Sequence, residues 1–245
     1  MSIVASELVF HGTANHAEDD NATQGGAIDT AKKIEFTQLT GNAVAEVVSD
    51  GADVRTTTVY GRLATGARDN EALVNNGATP VAGAKTWERI LKATLSAGSG
   101  TRTVVLKQGA GGTIRLTLLP NITEVRALFI DSASAAAQTI RYEKFFGKNT
   151  HGTLTLNSAA VKLTADPSSK IRIGCAPSKG DTATATNRLT APASVTFVDD
   201  NVSQGVPTGA LAAGETIGIW AELTLAADNA ALKSTFTVEL SGTTT

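Results

Sequence analysis

Three histidines, one cysteine, two acidic clusters and one glycine run are the places where chemistry could start in this chain. A zinc site needs side chains that converge on one ion, with further groups to orient them. His11 and His16 are five residues apart, so strand alternation sends them to opposite faces, and both read as polar loop positions. His151 follows Asn149-Thr150 in a turn-like stretch. Glu18-Asp19-Asp20-Asn21 and Asp199-Asp200-Asn201 offer the hard oxygens that Ca2+ takes. Neither has the Asp-x-Asp-x-Asp-Gly spacing of a calcium loop, and solvated turns in which Asp and Asn bond their own backbone account for both. Gly109-Ala110-Gly111-Gly112 lacks the Gly-Lys-Ser/Thr of a phosphate loop and leads into a strand at Thr113, so it reads as an interdomain turn. Cys175 has only Lys179 as a nearby cation and no sign of a paired histidine, the pattern of a buried structural thiol. No Gly-x-Ser-x-Gly elbow occurs. These residues assign no catalytic group, no metal and no cofactor, and an enzyme is not expected.

Trp220 points elsewhere. Along Thr216 to Leu225 (TIGIWAELTL), Ile217, Ile219, Leu223 and Leu225 share one face of a strand. Thr216, Trp220, Glu222 and Thr224 share the other. A large aromatic on a polar face suits a subunit interface or a platform for stacking on a sugar. The other reading is that a loop or a second module covers it. Trp220, Glu222 and Thr224 are the candidate interface residues. Trp87 shares a face with Arg89 and Leu91 and is expected under a loop or at a module junction.

The elements that must position these residues are strands. Alternation marks Thr113–Leu119, Thr139–Phe146, Lys170–Gly174, Thr216–Leu225 and Ser234–Leu240, and a hairpin is expected from Thr153–Leu156 to Val161–Thr164 across Asn157-Ser158. Helical signals are confined to two short Ala-rich stretches, Ser132–Gln138 and Ala226–Leu232. Turn residues recur at roughly 8–12-residue spacing, the rhythm of an all-β sandwich or barrel. Aromatics supply only 4% of the 245 residues, so the core is aliphatic. Lys and Arg total 21 against 23 Asp and Glu, a net charge of −2 that argues against a nucleic-acid partner. The first twenty residues lack the basic and apolar regions of a secretory signal, and no stretch is long enough for an apolar membrane span. One cysteine rules out an internal disulfide framework.

Residues 42–112 contain their own strand set: Asp53–Tyr60, Thr86–Leu95 and Thr101–Lys107. They read as a small β-sandwich inserted into an outer domain made of residues 1–41 and 113–245, with Arg68–Asn76 as a long polar stretch within the insert. The outer domain is expected to be a jelly-roll-like or Ig-like sandwich.

Two sets of motifs resemble tailed-bacteriophage virion proteins. In the outer part these are Asp20-Asn21-Ala22-Thr23-Gln24-Gly25-Gly26-Ala27-Ile28, Phe146-Gly147-Lys148-Asn149-Thr150-His151-Gly152-Thr153-Leu154-Thr155-Leu156, Ala191-Pro192-Ala193-Ser194-Val195-Thr196-Phe197, and Leu211 to Glu215 followed by Ile217-Gly218-Ile219-Trp220. In the inserted part they are Val59 to Gly66, Gly77-Ala78-Thr79-Pro80-Val81 and Trp87-Glu88-Arg89-Ile90-Leu91-Lys92, similar to a small β-sandwich of phage structural proteins. The resemblance implies a non-enzymatic structural protein of the virion, made in the host bacterial cytoplasm. Capsid decoration, or cement, is the first placement, with a tail, baseplate or collar component as the alternative and a host-glycan-binding module as the second alternative. The implied partners are other virion proteins, either the major capsid protein or tail and neck proteins, together with further copies of the chain. Neither nucleic acid nor membrane is an expected partner.

Overall fold

A computed structural model describes residues 2–97, 102–130, 132–134, 136–230, 233 and 235–244. The fold is all-β. In chain order the strands are β1 (Leu8–His16), β2 (Gln24–Lys33), β3 (Ala43–Ser49), β4 (Thr56–Leu63), β5 (Arg68–Val74), β6 (Val81–Leu95), β7 (Val104–Gln108), β8 (Ile114–Leu118) and β9 (Glu124–Arg126). They continue with β10 (Thr139–Asn149), β11 (Leu156–Ala165), β12 (Ile171–Lys179), β13 (Thr184–Ala185), β14 (Ser203–Gly205), β15 (Ala210–Leu211), β16 (Thr216–Leu225) and β17 (Thr237–Thr243). Among the described residues the only helical pieces are 3-10 turns at Ala5–Glu7 and Pro207–Gly209. Among the described residues no helix is long and apolar enough to cross a membrane.

The chain divides into two compact units: Met1–Thr30 with Leu128–Thr245, and Ala31–Ala127. In the first unit, strands run in the order β12-β16-β10-β1-β2, with the short β13 also on β2. A second sheet forms around β11, which pairs with β17 on one side and with β14 and β15 on the other. The long β10–β16 pair is the spine, in register from Thr139↔Leu225 to Lys148↔Thr216. Its apolar face carries Ile217, Ile219, Leu223 and Leu225, all at 0% exposure. Leu240 of β17 packs onto this layer over Gly147 of β10, so the two sheets share one apolar interior.

In the second unit β6 is the hub. It pairs with β3, β4 and β9, β3 leads on through β7 to β8, and β4 pairs with β5. The end of β2 runs parallel to β9, with Lys32 beside Glu124. Val47, Val59, Trp87, Leu106 and Leu118 sit in its core at 0% exposure.

Several expectations are corrected. Leu156–Ala165 is one strand and not a hairpin across Asn157-Ser158. Ser158 takes φ 49, and the pairing with β17 slips between Asn157 and Ala160, so the turn-like residues make a bulge. Arg68–Val74 is strand β5, because every residue from Arg68 to Val74 has a partner on β4. The Gly109–Gly112 run is a hairpin loop inside the second unit, with Gly109 at φ 73 and Gly111 at φ 64, and β8 returns to pair with β7. That pairing and the β9 contacts carry the second unit out to Ala31 and Ala127, beyond the expected 42–112. Ser132–Ser134 and Ala136–Gln138 are not helical, and a turn closed by the Asn229 N–H to the Ala226 carbonyl makes the second Ala-rich stretch a loop, the other reading it allowed; these stretches also include Ala135, Ala231 and Leu232, which lie outside the described residues. Trp87 belongs to the core of the second unit, a cluster that also takes in Leu39 and Phe36 from the segment between β2 and β3.

Candidate functional site

The β10–β16 register places Lys144 opposite Trp220 and Tyr142 opposite Glu222, so these four side chains share the face proposed as an interface. That face is covered. Trp220 is 1% exposed and Glu222 4%, while Thr224 is half-buried. Trp220 packs with Tyr142 and Ala185, with Val195 and Phe197 against them. Gly25 adds a backbone wall: its φ is +87, and a Cβ there would lie 3.0 Å from the Trp220 ring and 2.9 Å from the Ala183 carbonyl. The expectation of an exposed aromatic anchor at Trp220 and Glu222 is therefore corrected. Chain segments distant in sequence cover the strand's polar face, and alternation within one strand carries no information about them.

What covers this face is held by charge. Lys144 has a fully buried side chain, and its Nζ donates to the Asp181 carboxylate at 2.7 Å and to the carbonyls of Asp181 at 2.8 Å and Ala183 at 3.1 Å. The same ammonium lies 5.0 Å from the Phe146 ring centroid and 5.6 Å from that of Trp220. Burial lowers the Lys144 pKa, and the Asp181 carboxylate opposes that shift. Glu222 accepts from Arg172 at 2.7 Å, while burial and the Glu222 charge raise the pKa of Tyr142.

On the other face of β10 lies a second buried set. Glu143, at 0% exposure, accepts the Phe129 N–H at 2.9 Å, stands 3.1 Å from His16 Nε2 and pairs with Arg188. Arg188 also donates to the Glu18 carbonyl at 3.0 Å. Arg141 holds the Asp20 carboxylate through two donors at 2.8 and 2.7 Å, and this pairing keeps Asp20 below the usual carboxylate range despite partial burial. Phe129 adopts φ 54, a costly conformation for a bulky side chain, and its N–H bond to Glu143 helps to hold it there. Thus His16 is a buried strand residue in an ion-paired network, and His11 is also buried in β1; neither is a loop position. Asp20 belongs to the same network, while Asp19 accepts the Asn21 N–H in a local turn as expected. Sequence reasoning missed Lys144, Arg188 and Glu143. For Glu143 and Lys144 the available signal was a cluster of charges, Arg141-Tyr142-Glu143-Lys144, inside a strand that continues into Phe145-Phe146; Arg188 had none.

The remaining candidates separate. His151 sits in a turn, where its Nδ1 accepts the N–H groups of Thr153 and Leu154 at 3.0 and 2.9 Å. Cys175 is half-buried in β12, and burial pushes its thiol up to about 11. Asp199 and Asp200 line a shallow cleft of about 190 Å³ with Asp166, Lys170, Arg172 and Thr224. Asp166 is already engaged by the N–H groups of Ser168, Lys170 and Ile171 at 2.7–3.0 Å. Among the described residues no three His, Cys, Asp or Glu side chains gather as a metal site would require. Comparison of the chain with protein-family models, with curated proteins and with solved structures finds no match.

Proposed function

We propose that the chain is a non-enzymatic structural component of a tailed-bacteriophage virion, with capsid decoration as its placement. The observation that carries this reading is where the first unit keeps its most reactive side chains. His16, Glu143, Lys144 and Arg188 are sealed at or near zero exposure, and they tie β1, β10 and the 181–188 segment together. Side chains that could do chemistry are used to hold distant segments in place, which suits a protein whose task is to remain rigid against neighbours. The ordered motif resemblance supplies the virion context. On this reading the first unit is a jelly-roll-like or Ig-like sandwich that accepts the second unit as a smaller inserted sandwich. It binds the major capsid protein and further copies of itself, and many weak contacts are multiplied by the symmetry of the shell.

A tail, baseplate or collar position uses the same units and is the alternative. The glycan-binding reading needs Trp220 exposed as a stacking platform, and Trp220 at 1% exposure, with Tyr142 beside it at 7%, does not favour it. Gold-labelled antibody on intact particles tests the placement. Label spread evenly over the head is expected. Label confined to tail or neck would move the protein to the alternative, and particles without label would overturn both.

A further inference from the structure

The two units carry opposite charge. Residues 31–127 hold 12 Lys and Arg against 8 Asp and Glu, a formal +4, whereas the rest of the chain holds 9 against 15, a formal −6. A near-neutral total conceals this separation. In the second unit the excess gathers on one sheet face. Strand register puts Arg62 of β4 opposite Arg68 of β5, Tyr60 opposite both Asn70 and Lys92, Lys92 opposite Arg126, and Thr94 opposite Glu124. Lys32 joins them beside Glu124. Lys32, Arg62 and Lys92 are half-buried and Arg68 is exposed on this face, while Arg89, opposite Arg62, and Arg126, paired with Glu124, are buried. The opposite face holds the core residues Val59 and Leu73, and the part of the basic face that reaches solvent is the one around Arg62, Arg68 and Lys92. Arg68, Asn70, Ala72 and Val74 are exposed along β5, and Lys92 lies 4.7 Å over the Tyr60 ring.

In the first unit the internal pairs Arg141–Asp20, Lys144–Asp181, Arg172–Glu222, Lys179–Glu215 and Arg188–Glu143 cancel one another. The acidic excess therefore lies elsewhere in the unit, and Asp19, Asp199, Asp200, Asp228 and Glu239 are exposed.

We propose that the basic face around Arg62, Arg68 and Lys92 docks the acidic first unit of a second copy, at its Asp199-Asp200 lip. The contact is head-to-tail: the surface used by one copy differs from the surface used by its neighbour, so repetition builds rings or rows and not only closed pairs. Charge complementarity selects the partner and its orientation, and the Tyr60–Val74 surface supplies apolar area to bury at the centre. The inference goes beyond the virion placement and stands or falls without it, because particle labelling tests the location and the following experiment tests the docking.

Sedimentation velocity on the purified full chain is the test. Concentration-dependent association is expected at low salt. It should weaken at least about tenfold from ~0.02 to ~0.5 M salt, as the Debye length falls from ~20 to ~4 Å. R62E/R68E/K92E and D199K/D200K are each expected to sediment as monomers, with far-UV circular dichroism unchanged. Mixed together, the two reversed variants regain complementary surfaces and are expected to associate. Wild type that stays monomeric at high concentration and low salt would overturn the proposal, as would association that survives both reversals. Salt-sensitive binding of an oligothymidylate to wild type, lost in R62E/R68E/K92E and without self-association, would assign the face to a polyanion instead.

Discussion

At the scale of single residues, the first unit is organised by charges that sit where apolar side chains would ordinarily be. Lys144 is enclosed by carbonyls, one carboxylate and two aromatic rings, so its cost of burial is offset only while the whole cage is present. Removing Asp181 leaves a buried ammonium without its counter-charge, and Asp181→Ala is expected to lower unfolding stability by about 3 kcal/mol. Lys144→Met keeps the volume and removes the need for a partner, so it should change stability by less than about 1.5 kcal/mol. Urea titration of the two variants checks the ordering; equal losses would mean that the cage acts through packing alone. Trp220→Ala removes a wholly buried indole, at an expected cost of about 3–5 kcal/mol. A shift in the urea midpoint corresponding to less than about 1 kcal/mol would show that the site is looser than its burial implies.

Irregularities decide which strand faces are buried. In β6 both Trp87 and Ile90 reach the same core, which strict alternation forbids, because the pairing with β4 slips at Tyr60/Gly61 and again at Arg62/Leu63. In β11 the slip at Ser158 lets Leu156 and Val161 both point inward. Ser158→Val places a β-branched residue at φ 49 and is expected to destabilise by about 1–3 kcal/mol, whereas Ser158→Gly should be close to neutral. Thermal melts of the pair separate the backbone requirement from any loss of the hydroxyl. Alternation in the sequence located β8, β10, β16 and β17 to within a few residues, and the first part of β12. It misjudged Asn157-Ser158 because residues that favour left-handed backbone serve bulges as well as turns.

For the whole molecule, both units rely on carboxylates with lowered pKa. Asp20 is held down by Arg141, and Asp53 by Arg55. At Asp166 burial pushes upward, but the hydrogen bonds from Ser168, Ile171 and Lys170 outweigh it. A carboxylate whose folded pKa is depressed stabilises the fold fully above its unfolded value, about 3.9 for Asp, and loses that contribution as pH falls through the folded value. The melting temperature is expected to fall below about pH 4, and Asp20→Asn should flatten part of that slope. At the alkaline end the Cys175 thiol works in the other direction. Raised to about 11 from 9.0, it favours the fold below pH 9.0 and loses that effect as pH climbs toward 11. Lys144, lowered by burial, gains stability over the approach to its ordinary 10.5. The difference between wild type and Cys175→Ala across this range isolates the thiol; melting curves that remain parallel would contradict its burial.

The sequence by itself determined the class of fold and most of the strands, because alternation, turn residues and an aliphatic composition act locally and leave few alternatives. It also placed Asp19 in a solvated turn and showed that a second strand set begins after the first strands. It did not determine which faces meet solvent. Trp220 and Glu222 lie on a strand face that reads as polar and open, yet residues from 181 to 197 and the Gly25 backbone cover it. His16 and Glu143 meet across 127 positions of chain. Burial and ion pairing depend on which distant segments arrive at a strand, and only the tertiary structure brings them there. The same holds for the surface: the total charge is near zero, and folding alone sorts its parts into one basic unit and one acidic unit.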